Sequence, residues 1–273
     1  MATHIWNSSS TDFSAAGAWS SGVAPASWVS TDKVVFPATA TSTPATGLDQ
    51  NAITVAALLV EYGCPISIGS VGNTLKLGVT KTLIQGEGTY HFTQSAAAVV
   101  NSGYVIFDAS RSSGTLHLYA NHNFVGLSSG TLYMAAGSSA SYVNVGPYRG
   151  NDRSAILYYQ STTDSPLLIS GGTVSIDSAV SLVSVVIGAG TLIHNQGTIL
   201  KLESTGGQTI SKSSSSIAVL YGLGGIVDFT QSKTPRNVDY MFIHPRCEVL
   251  YDKNVITILS ARIDMASELG IRN

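Results

Sequence analysis

Apolar residues in this chain come in short alternating bursts, each bounded by Gly, Asn, Asp or Ser. The clearest are Thr74-Leu75-Lys76-Leu77, Tyr104-Val105-Ile106-Phe107, Thr115-Leu116-His117-Leu118-Tyr119, Thr131-Leu132-Tyr133-Met134, Thr173-Val174-Ser175-Ile176 and Ile199-Leu200-Lys201-Leu202. A period of two turns one side chain inward and the next outward, so these segments predict short strands with one buried face. Helical periodicity is nearly absent. Only Ile263 to Leu269, with Asp264, Ala266 and Glu268, suggests a short helical turn.

A Gly-Thr or Gly-x-Thr opening recurs: Gly72-Asn73-Thr74, Gly88-Thr89, Gly114-Thr115, Gly130-Thr131, Gly172-Thr173, Gly190-Thr191 and Gly197-Thr198. The step is 16 residues from 72 to 88, 16 from 114 to 130 and 18 from 172 to 190, and Gly224 lies 34 residues beyond Gly190. One such period fits one coil of a solenoid, in which two or three short strands pair with their equivalents about 4.8 Å away in the next coil. Gly serves the corners, Thr and Val suit the strands, and Ser, Asn or Asp satisfy the turns. The expected fold is all-β, a parallel β-helix. A β-sandwich or jelly roll is the alternative, because it also shows short strands at regular spacing.

Three regions are expected. Residues 1–50 form an N-terminal cap and loop: they hold every tryptophan (Trp6, Trp19, Trp28), placed to cover the first coil, and the Pro- and Thr-rich stretch Pro37 to Thr46 reads as a surface loop. Residues 51–230 form the solenoid body. Residues 231–273 form a C-terminal capping and contact segment, because they carry 6 of the 14 basic residues and 5 of the 16 acidic ones.

Composition narrows the function. Charged residues make up 11% of the 273, against about 25% in an average soluble domain. Lys+Arg total 14 and Asp+Glu 16, for a net charge of -2, so no field gathers nucleic acid or an anionic membrane, and neither is expected as a partner. The longest apolar stretch, Ala52 to Val60, falls far short of the ~20 residues a spanning helix needs. The opening Met1-Ala2-Thr3-His4-Ile5-Trp6-Asn7 lacks the basic and apolar regions of a secretory signal. Cys64 and Cys247 are too few to frame the fold by disulfides and are expected to be buried thiols.

No catalytic residue, metal ligand or cofactor emerges with a complete signature, and the expectation is a non-enzyme without cofactors. Gly126-Leu127-Ser128-Ser129-Gly130 matches the nucleophile-elbow pattern, but Thr131-Leu132-Tyr133-Met134 reads as strand where a helix is required, so a Ser/Gly turn is favoured. Ser30-Thr31-Asp32-Lys33 fits S-x-x-K but precedes a strand. Asp108, Asp177 and Asp228 lie near strand ends, where a pair on adjacent coils would reach the ~5–9 Å of glycoside hydrolysis; satisfying a turn is the commoner role. Of the six histidines (His4, His91, His117, His122, His194, His244) only His117 and His122 lie close in sequence, which is weak ground for a metal site. The segment Tyr142 to Arg153, with Tyr148, Arg149 and Arg153, is a candidate protein-contact or glycan-stacking surface or else a plain insertion. Arg236, Arg246, Lys253, Arg262 and Arg272 are the candidate contacts of the charged C-terminal segment.

Ile5-Trp6-Asn7, then Ala18-Trp19-Ser20-Ser21-Gly22-Val23-Ala24-Pro25, then Thr31-Asp32-Lys33-Val34-Val35-Phe36 resemble the start of many bacterial and phage β-helix proteins, among them autotransporter-like passengers and phage virion proteins. The resemblance covers about the first 36 residues by motif and departs at Ser27-Trp28-Val29, a stretch that is usually Gly-rich and polar. It implies a single-stranded right-handed parallel β-helix. A phage virion structural protein reconciles that fold with the missing leader and missing active site. The expectation is a capsid-decorating or tail-associated subunit, a homotrimer in contact with capsid or tail proteins, made in the host cytoplasm and carried in the virion. The alternatives are a carbohydrate-binding or depolymerising β-helix acting on host surface glycans and an extracellular adhesin passenger.

Overall fold

The computed structural model describes residues 1–94, 103–109, 114–146, 155–263 and, for the backbone, 271–272. The chain is a parallel β-solenoid of about 11 turns. Among the described residues every pairing between strands is parallel, which excludes the antiparallel sandwich and jelly roll. Among the described residues there is no α-helix, and two single-turn 3-10 helices, Ala16–Ala18 and Pro25–Ser27, lie near the N-terminus. Of the helical turn expected at the C-terminus, Ile263 ends the strand Ala261–Ile263 and the rest lies outside the described residues.

Two faces dominate. On the first, thirteen strand segments stack in one unbroken register, from Ile5 through Val35, Leu59, Leu83, Ile106, Gly126, Asn144, Leu168, Val186, Glu203, Tyr221 and Phe242 to Arg262. This column points outward. The residues before it up to Met241, among them Val34, Leu58, Val105, Val125, Val143, Leu167, Val185, Leu202 and Leu220, are buried, as strand alternation requires. On the second face the inward column is Tyr90, Leu116, Leu132, Leu157, Val174, Leu192, Thr209 and Val227, all buried. The expected strand Thr115 to Tyr119 is found with those bounds, and Thr131 to Met134 and Thr173 to Ile176 end the longer strands Asn121–Met134 and Leu167–Ile176.

The longer strands turn from the first face onto the second at glycine. At Gly190, φ is +81°, and a Cβ would stand 2.4 Å from the carbonyl oxygen of Gly172, the equivalent corner one coil back. Gly172, at φ +71°, would in turn strike Ala155 O at 2.3 Å. No side chain fits where successive backbones approach so closely, which is the physical origin of the Gly-Thr repeat. Gly88, Gly114, Gly130, Gly172 and Gly190 each precede a threonine of one column, whereas Gly197-Thr198 opens a strand on the third, shorter side, where Thr198 pairs with Ser181.

Another corner is held by serine. The Ser161 hydroxyl donates to Ser138 O, Ser178 to Ser161 O at 2.5 Å, Ser213 to Gly197 O at 3.1 Å and Ser232 to Ser213 O at 3.3 Å. At these four places a coil thus satisfies a buried carbonyl of the one before it.

The tryptophans form a buried cluster with Phe13 and Phe36; Trp19 and Trp28 stand 4.8 Å apart edge to face, and Trp6 and Trp19 5.1 Å. Their indole N–H groups end on Ser42 O, Phe13 O and Val23 O. Coil stacking nevertheless runs through both expected end regions. Thr3–Ile5 pairs with Lys33–Phe36 at one end, and Arg236–Ile243 pairs with Ile256–Ile258 and Ala261–Ile263 at the other. Cys64 and Cys247 are buried free thiols whose ionisation is pushed upward by burial.

Candidate functional site

The outward residues of the second face form two parallel columns. One is threonine-rich: Thr89, Thr115, Thr131, Ile156, Thr173, Thr191. The other, two residues further along each strand, is a stack of four rings. His91 lies on His117 at 4.3 Å and 4°, His117 on Tyr133 at 4.6 Å and 5°, and Tyr133 on Tyr158 at 4.8 Å and 12°. The pitch of the coil sets these distances, since neighbouring strands stand about 4.8 Å apart. Tyr119 flanks the stack, with its hydroxyl 3.3 Å from His91 Nδ1. Desolvation, and then the neighbouring His117, hold His91 down to about 4, and desolvation lowers His117. At neutral pH both imidazoles are uncharged and stack without repulsion. The sequence signal for this column was the recurring Thr-x-His or Thr-x-Tyr after glycine, visible once the period is aligned.

A second ring ladder borders the first face, where Tyr104, Phe124 and Tyr142 stand at 6.2 and 6.1 Å. Tyr104 is 44% and Tyr142 38% exposed. A pyranose stacks on the face of an aromatic ring. In the His91 to Tyr158 stack the ring faces lie against one another along the rod, which suits packing within the protein better than sugar stacking, whereas in the second ladder the Tyr104 and Phe124 rings are tilted by 33°.

The three aspartates are not brought together. Asp108 accepts from Ser129 Oγ at 3.2 Å, Asp177 from Asn195 Nδ2 at 2.7 Å and Ser175 Oγ at 2.9 Å, and Asp228 from Thr230 N–H at 2.8 Å. Asp228 stands three coil steps from Ser175, along Ile193 and Ile210, a separation of roughly 14 Å at the usual strand spacing and beyond the glycosidase range. Asp108 and Asp177 bridge neighbouring coils, and Asp228 satisfies its own turn. His117 faces His91 instead of His122, which is buried beside Phe92. Among the described residues no group of three metal-ligating side chains converges. Gly126 to Gly130 lies within the strand Asn121–Met134 and ends on the Gly130 corner at φ +88°, with Ser129 buried and donating to Ala109 O at 2.6 Å; strand follows it, so it is a corner of the solenoid and not an elbow.

One relay-like arrangement escaped the sequence. His4 Nδ1 lies 2.7 Å from Ser21 Oγ and His4 Nε2 3.2 Å from Asp32 Oδ2. The Ala2 N–H at 2.7 Å, the Val29 N–H at 3.0 Å and His4 hold the Asp32 carboxyl down to about 2. His4 is buried and stacked 4.6 Å from Trp28, and the Ser21 hydroxyl also accepts from Val23 N–H. Every group ties the first strand to the loops around it, so the unit acts as a clamp on the N-terminal end.

Tyr148, Arg149 and Arg153 lie outside the described residues, as does the segment 147–154 that holds them. Arg246, Lys253 and Arg262 are exposed at the C-terminal end, and for Arg272 the backbone is described, paired with Leu250. Arg236 corrects the expectation of a surface contact. It is buried, donates to Ser213 O at 2.6 Å, Ser215 O at 3.1 Å and Ser211 O at 3.3 Å, and lies 5.1 Å over the Phe229 ring. Burial lowers it to about 10, which leaves it charged at neutral pH. It turns inward because carbonyls of the serine corner converge there and a guanidinium can serve several at once. Nearby His194 bridges Ser211 Oγ and Gly197 O.

The chain was compared with known families, curated proteins and solved structures. None matches. The columns of the two faces and the exposed basic residues at the C-terminal end are therefore what a functional reading has to use.

Proposed function

We propose that the chain is a non-enzymatic structural protein of a phage virion, a capsid-decorating or tail-associated rod that associates as a homotrimer and meets capsid or tail proteins. One observation carries this reading: outward side chains are ordered in columns along the rod, with ring faces already occupied by neighbouring rings and carboxylates dispersed among separate turns. Such a surface offers a long, regular contact area and little chemistry. The likeness of its opening residues to phage β-helix proteins and the exposed Arg246, Lys253 and Arg262 at one end, suited to docking on a particle, support it further.

Peptide mass spectrometry and antibody-gold microscopy of purified particles from the source phage test the proposal. The expected result is a fixed copy number per particle and label at one location. Absence from purified particles overturns it. The glycan-binding alternative draws on the exposed Tyr104 and Tyr142, and binding of host surface polysaccharide that Tyr104→Ala and Tyr142→Ala abolish would put it first.

A further inference from the structure

We propose that the first face joins parallel, in-register copies of this chain about an axis that runs along the rod. The inference rests on the reading of the chain as a self-associating rod and adds which face associates and in which orientation. Its outward column is aliphatic at Val35, Leu59, Leu83, Ile106, Leu168 and Val186. When one side of a sheet packs the core, the other ordinarily carries polar residues, as the threonine column of the second face does. Apart from Gly126 and Asn144 the column is aliphatic from Ile5 to Val186, and a stripe that repeats with the coil is covered best by a partner with the same repeat. A second copy of the rod has that repeat.

Charge fixes the orientation. Two residues before the column, on the starting side of the strands, stand Lys33 and Lys81; two residues after it, on the ending side, stand Glu61 and Asp108. In parallel copies around a common axis the starting side of one rod meets the ending side of the next, so Lys33 and Lys81 come one coil step, about 4.8 Å along the rod, from the neighbour's Glu61 and Asp108. Antiparallel copies set each flank against itself. They also place Glu203, tenth of the thirteen positions, on Leu83, the fourth, whereas parallel copies bring Glu203 to Glu203 of the neighbour, with Lys201 of the same chain at 3.1 Å to offset the like charges. The area suffices: thirteen segments at the usual spacing make a stripe roughly 58 Å long and about 14 Å wide, close to the ~800 Å² per partner of a stable interface.

The test combines mass and cross-linking. Sedimentation equilibrium of the purified full chain is expected to give a multiple of 28.4 kDa. Ile106→Lys and Leu168→Lys are each expected to reduce it to the single-chain mass with β-type circular dichroism retained, while Thr173→Lys on the second face leaves it unchanged. Leu83→Cys is expected to cross-link identical positions on oxidation, a reading that buried Cys64 and Cys247 do not confuse. Lys81→Glu is expected to weaken association about tenfold and added Asp108→Lys to restore it, which keeps the test decisive should a lysine in the column disturb folding. A wild-type monomer at tens of micromolar, association that survives both column variants, or an oligomer that Leu83→Cys fails to cross-link overturns the inference. A dimeric mass with the cross-link upholds the face and removes the trimer from the proposed function. A cross-linked oligomer absent from virions overturns the virion reading alone.

Discussion

The two faces share one backbone pitch and one kind of interior, yet their outward sides differ in chemistry. On the first, the outward column is mostly aliphatic from Ile5 to Val186 and gives way to Glu203, Tyr221 and Phe242. On the second, threonines stand beside His91, His117, Tyr133 and Tyr158, which satisfy one another by stacking. A β-solenoid repeats the same positions every coil, so any preference at an outward site is multiplied along the rod. The second face spends that multiplication on contacts within the molecule, and the first leaves it available to a neighbour.

The largest expected effect comes from the corner that both faces share. Gly190→Val forces a branched side chain into φ +81° and against Gly172 O, and is expected to cost at least about 3 kcal/mol or to abolish folding, read as the urea midpoint. A stability close to wild type would show that the corner relaxes.

Acid comes next and acts on the second face and the interior behind it. Desolvation depresses His91, His122 and His194 to about 4 from an ordinary 6.5. The folded state therefore holds them neutral while the unfolded chain takes up protons. Stability is fully present above pH 6.5 and falls as pH drops from 6.5 toward 4, by at most about 1.4 kcal/mol per pH unit for each proton. Thermal melting across that window is expected to decline steeply, and His194→Asn to flatten the decline; a flat profile in the wild type would remove the histidine account.

Tyr133→Ala breaks the ring stack on both sides and is expected to cost about 1–3 kcal/mol, the sum of two stacking contacts. Measured in an Ile106→Lys background, it separates the internal worth of the second face from any effect on association. The smallest effect is expected at Thr131→Val, within about 0.5 kcal/mol and with unchanged mass, because a β-branched residue keeps the strand preference. A large loss there would mean that the threonine column is itself an interface.

The fold was legible because a solenoid writes its coil length into the chain: Gly114 and Gly130 mark one corner at a step of 16 residues and Gly172 and Gly190 at 18, with Ala155 holding the corner of the coil between them. The inward and outward assignment of Tyr158 and Tyr159 follows from alternation, Tyr159 being buried and Tyr158 joining the stack. The candidate contacts were less legible. Arg236 reads as surface by residue type, and only the converging carbonyls of residues 211, 213 and 215 turn it inward. His117 lies five residues from His122 and 26 from His91, yet the coil places it on His91, because a solenoid brings together residues one turn apart.

The sequence alone determined the class of the fold, the tight glycine corners and the gathering of every tryptophan near the N-terminus. These depend on local needs, a positive φ, an alternating pattern or a large apolar side chain near an end. The tertiary structure decided which outward residues share a column, which carboxylates stay apart and which basic residue is buried. Those outcomes depend on the register between coils, and a difference of one residue in a single turn moves every later side chain to another column or another face.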